Sequence, residues 1–288
     1  MAAAAVLAML LWRVGLALAG FAAPAARPEV VLESISASHF VEKVRWALDR
    51  LGLDYAERPA AGAIGAFFAG RTVPRLNFRS GAVRSSIGNS AEIMRYLWGR
   101  YGEPFGARAE FLRPTAERAE FEARIDRVGV DLQVWVYHHL LEHRELTLKA
   151  WGHRATAVPA WQRALLPPLL PLLRALIRRS FRITPRRYAK AREHIDELLS
   201  DSERRLAEHP GSLLGEAAPS YVDYWFAAAN GLWLQPKNYG SVAAAAVRIE
   251  RAEAPAPMRQ DIERWCERYP LSVAFIERLY AEERRERV

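Results

Sequence analysis

Asn89 and Ser90 stand at the start of a helical pattern, with Glu92 at the spacing of a capping box. Free N–H groups and the helix dipole at such a start favour a carboxylate, and the Ser90 hydroxyl can add a hydrogen bond. Ser36 and Ser38 form a second helix-start signal, Ser-x-Ser, just ahead of Phe40. His138, His139, Glu142 and His143 invite a metal reading, because His139 and His143 lie one helical turn apart. The HExxH arrangement is absent and no distant third ligand is evident, so they read as a helix face near a cleft and no metal is expected. Cys266, between Trp265 and Glu267, is the single cysteine. It excludes an intrachain disulfide, a cysteine-based zinc site and a CxxC redox pair. It reads as a structural or surface thiol, and a reducing compartment is compatible with it.

The elements that carry these residues fall into two halves. Glu29–Ile35 alternates and is rich in β-branched residues, which predicts a strand. Phe40, Val44, Ala47, Leu48 and Leu51 then mark one apolar helical face, stopped by Gly52, and Leu53–Arg58 reads as a second strand. Strand, helix and strand with short connections predict a parallel βαβ unit. After the Gly/Ala-rich stretch Ala60–Gly70, Thr72–Phe78 reads as a strand with Pro74 at its start, where a missing donor is tolerated. Ser80-Gly81 is a turn, Ala82–Ser85 a partner strand, and Ile93, Tyr96 and Leu97 the stripe of the helix after Asn89. From Glu110 onward strand signals are scarce. Helices are predicted over 115–149 (bent at Gly129), 159–179, 185–209, 221–233 and 257–283. The expected organisation is an α/β unit over 29–100, a linker over 101–114 and an all-helical unit over 115–288.

The chain has 288 residues, 51% hydrophobic and 26% charged, a globular balance. Its net charge of +8 is unevenly placed. Residues 174–192 hold eight basic residues and no acid, residues 1–28 hold only Arg13 and Arg27, and the remainder carries −2. That excludes a protein basic throughout, of the kind that coats nucleic acid, and no nucleic-acid motif accompanies the basic segment. The segment reads either as a solvated face or as a patch for a membrane surface or another anionic partner. Residues 1–28 are strongly apolar. A cleaved secretory signal would want a basic start, which is missing. A membrane anchor fits in length but carries Arg13 near its middle, and a transit peptide fits in charge but lacks serines. The segment is therefore expected to target or tether the chain, with an ill-ordered extension as the other reading. Val158–Ile177 is also apolar, but Pro159, Pro167, Pro168 and Pro171 make it a packed, broken helix and not a membrane span.

Three segments, in order and spacing, resemble the glutathione transferase family: Ser38–Leu48, Val73-Pro74 and Asn89–Leu97. A fourth is Ser220-Tyr221-Val222-Asp223 after Leu213-Leu214-Gly215, similar to that family's capping box. A bacterial-type subgroup with the pattern S-H-x-C-E-K-x-R-W-A-L-D is closer still, and Arg144-Glu145-Leu146 and Val158–Trp161 resemble further segments of it. The resemblance implies a thioredoxin-like N-terminal domain followed by an all-α C-terminal domain. It implies glutathione as cosubstrate, a small apolar electrophile or peroxide as its partner, a homodimer, and detoxification as the setting.

On that resemblance, Ser38 is where the family keeps its thiol-activating residue, with Ser36 as an understudy. A Ser38 hydroxyl donating to the glutathione sulfur would favour thiolate over thiol. Val73, before a cis Pro74, would pair its N–H and C=O with the peptide backbone of glutathione. Asn89 and Ser90 would receive the γ-glutamyl carboxylate. Ser220 and Asp223 would cap a buried helix, and Trp135, Tyr137, Trp225 and Trp233 would supply core, with one or two lining the pocket. Two departures stand out. Val41 replaces the subgroup's cysteine, which removes a protein thiol there, and Asn89 replaces the usual acid. The alternative implied by these departures is a non-catalytic ligand-binding or interaction protein on the same fold.

Overall fold

Glu29–Ser34 forms strand β1, with Val31 and Leu32 facing the core. Helix α1 (His39–Leu51) follows, capped by Ser38 and ended by Gly52 in the left-handed conformation, φ 61. Strand β2 (Ala56–Pro59) lies parallel to β1, with Val31 opposite Ala56. Strands β3 (Arg75–Ser80) and β4 (Val83–Gly88) add an antiparallel pair, and helix α2 (Ser90–Phe105) closes the unit. The sheet order is β2-β1-β3-β4, with β1 and β3 antiparallel. The Val73-Pro74 peptide is cis. The computed structural model describes residues 6–15, 29–62, 64, 73–80, 83–240 and 244–284. Thr72, the expected turn at Gly81, most of the Gly/Ala-rich stretch and residues 1–5 and 16–28 lie outside them.

The strands shift from their expected limits. β2 begins at Ala56 and β3 begins after Pro74, which has no N–H to give a ladder. α2 runs on through 101–105, past Pro104, into what reads as linker. Pro104 has no N–H to give the Arg100 carbonyl, and Arg100 is exposed, so water can take that place. Two 3-10 turns, Gly106–Arg108 and Glu110–Leu112, make the rest of the connection.

The helical part contains α3 (Ala116–Leu140), α4 (Arg144–Ala150), α5 (Ala160–Ser180), α6 (Pro185–Glu208), α7 (Tyr221–Leu234), α8 (Ala256–Arg268) and α9 (Pro270–Arg278). The predicted helix over 115–149 is two, interrupted after Leu140, and that over 257–283 divides before Pro270. Gly129 does not end or divide α3. It permits a close approach, since a Cβ there would lie 2.8 Å from Phe40 Cζ. α5 is likewise unbroken by its prolines. Pro167 cannot bond the Arg163 carbonyl, and His153 Nδ1 donates to that oxygen instead at 2.9 Å. α7 is the buried axis of this half. Its Asp223 carboxylate accepts from the Ser220 N–H at 2.8 Å, the Leu213 N–H at 2.7 Å and the Ser220 and Ser212 hydroxyls.

Helix α1 binds the two halves together. Lys43 Nζ reaches Glu122 of α3 at 2.7 Å, both side chains being almost wholly buried, and lies 4.8 Å from the Trp225 ring of α7. Arg45 bonds Glu57 of β2 through Nε and Nη2 at 3.0 and 2.6 Å. Arg284, near the end of the chain, donates to Glu42 at 2.9 Å and to Asp49 at 2.6 Å. Burial would raise the Glu42 carboxyl, but the charges of Arg284 and Arg45 overcome it and hold Glu42 below its ordinary value.

Residues 6–15 are helical with every side chain exposed. Among the described residues, no helix is long and apolar enough to cross a membrane.

Candidate functional site

Sheet register gathers the candidate residues at one end. Arg75 of β3 stands opposite Glu33 of β1 and opposite Gly88 of β4. The chain leaving β1 toward Ser38, the chain entering β3 from Val73-Pro74 and the chain leaving β4 into Asn89-Ser90 therefore share that end of the sheet.

Ser38 is the N-cap of α1, but only its backbone does capping work. Its carbonyl accepts from the Glu42 N–H at 3.0 Å and its N–H donates to Ile35 O at 2.9 Å. Its hydroxyl makes no cap hydrogen bond and, half-buried, lines a cavity of about 210 Å³. Val73 lines the same cavity from the strand side, and Tyr137, Trp151, Ile177 and Phe181 line it from the helical half. The wall is mostly apolar and aromatic, with Ser38, Tyr137 and Thr147 as its hydroxyl-bearing residues, a setting that suits an apolar ligand beside a few polar groups. Burial pushes the Tyr137 phenol up to about 12, so it stays a neutral donor at ordinary pH. Tyr137 was among the aromatic residues named as pocket candidates. Trp135 and Trp225 are fully buried core, and Trp233 lines a second, smaller cavity of about 70 Å³.

Pro74, Asn89 and Ser90 do not line the larger cavity. Pro74 is buried, Ser90 is 3% exposed as the first residue of α2, and Asn89 is exposed. Asn89 caps α2 alone, at φ 68, accepting from the Ala91 N–H at 3.0 Å. The acceptor that stands where an acid is usual is thus engaged with its own helix. Ser36 is buried, and among the described residues its hydroxyl has no hydrogen-bond partner. Val41 is wholly buried within the main hydrophobic core and lines neither of these two cavities.

The histidine cluster serves packing. His139 Nε2 lies 3.3 Å from the Tyr188 hydroxyl, which donates to Asp261 at 2.8 Å, and His138 stacks on Tyr188 at 3.8 Å. Glu142 pairs with Arg178. Among the described residues, no group of three His, Cys, Asp or Glu side chains could hold a metal ion. The Cys266 thiol is pushed up by burial and sits 3.6 Å from Arg251 Nη2, on a different helix from any wall of the Ser38 cavity.

Sequence reasoning did not pick out Trp151, Ile177 or Phe181 as cavity residues. Ile177 belongs to the apolar stretch after Val158, whose buried stripe is Leu166, Leu170 and Leu173. The continuation of that stripe by one turn was the available signal.

No protein-family model matches the sequence, and no curated protein matches it. Solved structures do. A glutathione S-transferase from Methylobacterium radiotolerans, in complex with glutathione sulfonate, is 16% identical with a TM-score of 0.53, over 88% of this chain and 91% of that one. A glutathione S-transferase from Methylobacillus flagellatus, with glutathione bound, is 14% identical with a TM-score of 0.50, over 88% and 95%. The chain has the glutathione transferase fold, a thioredoxin-like α/β unit followed by an all-helical one.

Proposed function

We propose that this chain binds glutathione and activates its thiol for transfer to a small apolar electrophile or peroxide. The observation that carries the reading is the Ser38 hydroxyl, left unused by its own helix and facing, with Val73, an apolar cavity of about 210 Å³. The Ser38 Oγ–H would donate to the glutathione sulfur and stabilise the thiolate, whose proton passes to water. The sulfur then bonds the electrophilic carbon as the leaving group departs with its electron pair. With a peroxide, the sulfur instead bonds one oxygen and the other leaves as water or an alcohol. Serine forms no covalent bond in either case. Val73 would pair its backbone with the tripeptide, and Ser90, opening α2, would receive the γ-glutamyl carboxylate. The bound glutathione compounds of the two similar structures agree with this reading. The domains we propose are 29–100 and 115–288, joined by 101–114.

A second reading, a non-catalytic ligand-binding protein, is favoured by Asn89, whose side chain is committed to the Ala91 N–H where an acid would hold the glutathione amine.

The test is calorimetric titration of the full chain with glutathione, paired with Ser38→Ala and a pH titration of thiolate absorbance. Binding is expected in both proteins, with the bound thiol's pKa about one to two units higher in Ser38→Ala and thiol transfer about 10- to 100-fold slower. Absence of binding up to about 10 mM would remove the glutathione reading. Binding with transfer unchanged in Ser38→Ala would remove the role of Ser38, and binding without any transfer selects the non-catalytic reading.

A further inference from the structure

Helix α5 is apolar on two sides. Leu166, Leu170 and Leu173 are buried against the body. On the opposite side, Leu165, Leu172 and Leu176 are 41%, 57% and 44% exposed, and Ala164, Pro168, Pro171 and Ala175 extend the same exposed face. These seven residues follow the 3-4 spacing of one helical face and include no charge. A helix apolar all round is stable in water only when its second face meets another apolar phase.

The same face continues into cation. Arg179, three residues after Leu176, is exposed, and the chain beyond it brings Arg182, Arg186 and Lys190 to the surface. Among the described residues none of these four makes an ion pair, whereas their neighbours Arg178, Arg187 and Arg192 pair with Glu142, Asp131 and Asp261. Arg179 thus stands on the stripe's own face, and Arg182, Arg186 and Lys190 follow it in the chain as exposed cations outside any ion pair among the described residues.

We propose that this face of α5, with Arg179, Arg182, Arg186 and Lys190, docks on an anionic lipid surface. The apolar stripe would enter the headgroup–acyl boundary and the cations would meet lipid phosphates, each contributing on the order of 1 kcal/mol. The chemistry disfavours the other occupants. A second copy placed symmetrically on the same face would bring like charges together. The chain's own apolar segment over 1–28 carries Arg13 and Arg27 and no acid, so it offers the cations nothing. Its residues 6–15 are themselves exposed.

The test places an environment-sensitive fluorophore at position 172 of the full chain, through Leu172→Cys with Cys266→Ser. The control label is Glu103→Cys, exposed on α2. Phosphatidylcholine vesicles with and without phosphatidylglycerol are the probe, and Leu165→Cys serves if the first variant folds poorly. The label at 172 is expected to shift to the blue only with the anionic vesicles, with no change at 103. Arg179→Glu with Arg182→Glu and Arg186→Glu should weaken partitioning at least about tenfold. A label at 172 that stays aqueous while the protein floats with the vesicles would overturn the proposal, since the segment over 1–28 would then account for binding. A shift that appears without vesicles and grows with protein concentration would also overturn it, in favour of a second copy.

Discussion

His39 Nε2 donates to the carbonyl oxygen of Gly129 at 2.9 Å, fastening the first helix of the α/β unit to the first helix of the all-helical one. The imidazole is wholly buried, stacked on Trp225 at 5.8 Å and tilted against Phe40 at 4.5 Å. A carbonyl can only accept, so the ring holds its proton on Nε2 and stays neutral.

This sets a pH dependence. Burial, opposed only by the Gly129 bond, holds the His39 pKa down to about 4, against 6.5 ordinarily. Between those values the unfolded chain takes up a proton that the native state refuses. Stability is thus fully present above pH 6.5 and is lost as the pH falls toward 4, by up to about 3 kcal/mol from this residue. His39→Gln should be less stable than the wild type at neutral pH. In urea melts at pH 7.5 and 4.5 the gap between the two proteins should narrow by about 2–3 kcal/mol. A gap that stays constant would show that His39 does not cause the slope.

Gly129→Ala should destabilise, although alanine in a helix ordinarily gains about 1 kcal/mol over glycine. The new Cβ would sit 2.8 Å from Phe40 Cζ and 3.2 Å from His39 Nε2. We expect a loss of about 1–3 kcal/mol, partly recovered by Phe40→Leu, in thermal melts of the single and double variants.

A thiol at position 41 should be inert. Val41 is wholly buried, so Val41→Cys in a Cys266→Ser background is expected to react with a soluble disulfide reagent about 100-fold or more slowly in the native protein than in urea. Rapid native labelling would place position 41 at the surface of the site.

Asp223→Ala should cost about 3 kcal/mol or more in chemical denaturation. The carboxylate accepts from four buried donors, and its loss removes the partner of the Ser220 and Leu213 N–H groups. Asp223→Asn, which keeps one acceptor oxygen, should recover part of that loss.

The order of elements was readable because period and punctuation agreed: the stripe Val44-Ala47-Leu48-Leu51 ends at Gly52, and the Ser220/Asp223 box opens a buried helix. The site was half readable. Ser38 and Val73 meet in one cavity because strand register, which alternation does encode, brings their loops to one sheet end. The opposite wall was readable only at Tyr137. Trp151 and Phe181 come from separate segments whose meeting with it depends on tertiary packing, and Phe181 sits beside arginines that mask its apolar environment. Gly129 suggested a bend, because a glycine that makes room for Phe40 looks the same in sequence as one that loosens a helix. The prolines of α5 suggested a break, because the rescue of the Arg163 carbonyl by His153 is made across a loop.

The Arg284 guanidinium reaches back 242 residues to Glu42. Glu42 also pairs with Arg45, and Asp49 accepts from the Tyr55 hydroxyl, but Arg284 is the cation that joins the two carboxylates. A fragment over 29–100 would leave Glu42 with Arg45 alone and take this cation from Asp49, so the isolated α/β unit should hold α1 less firmly than the whole chain does.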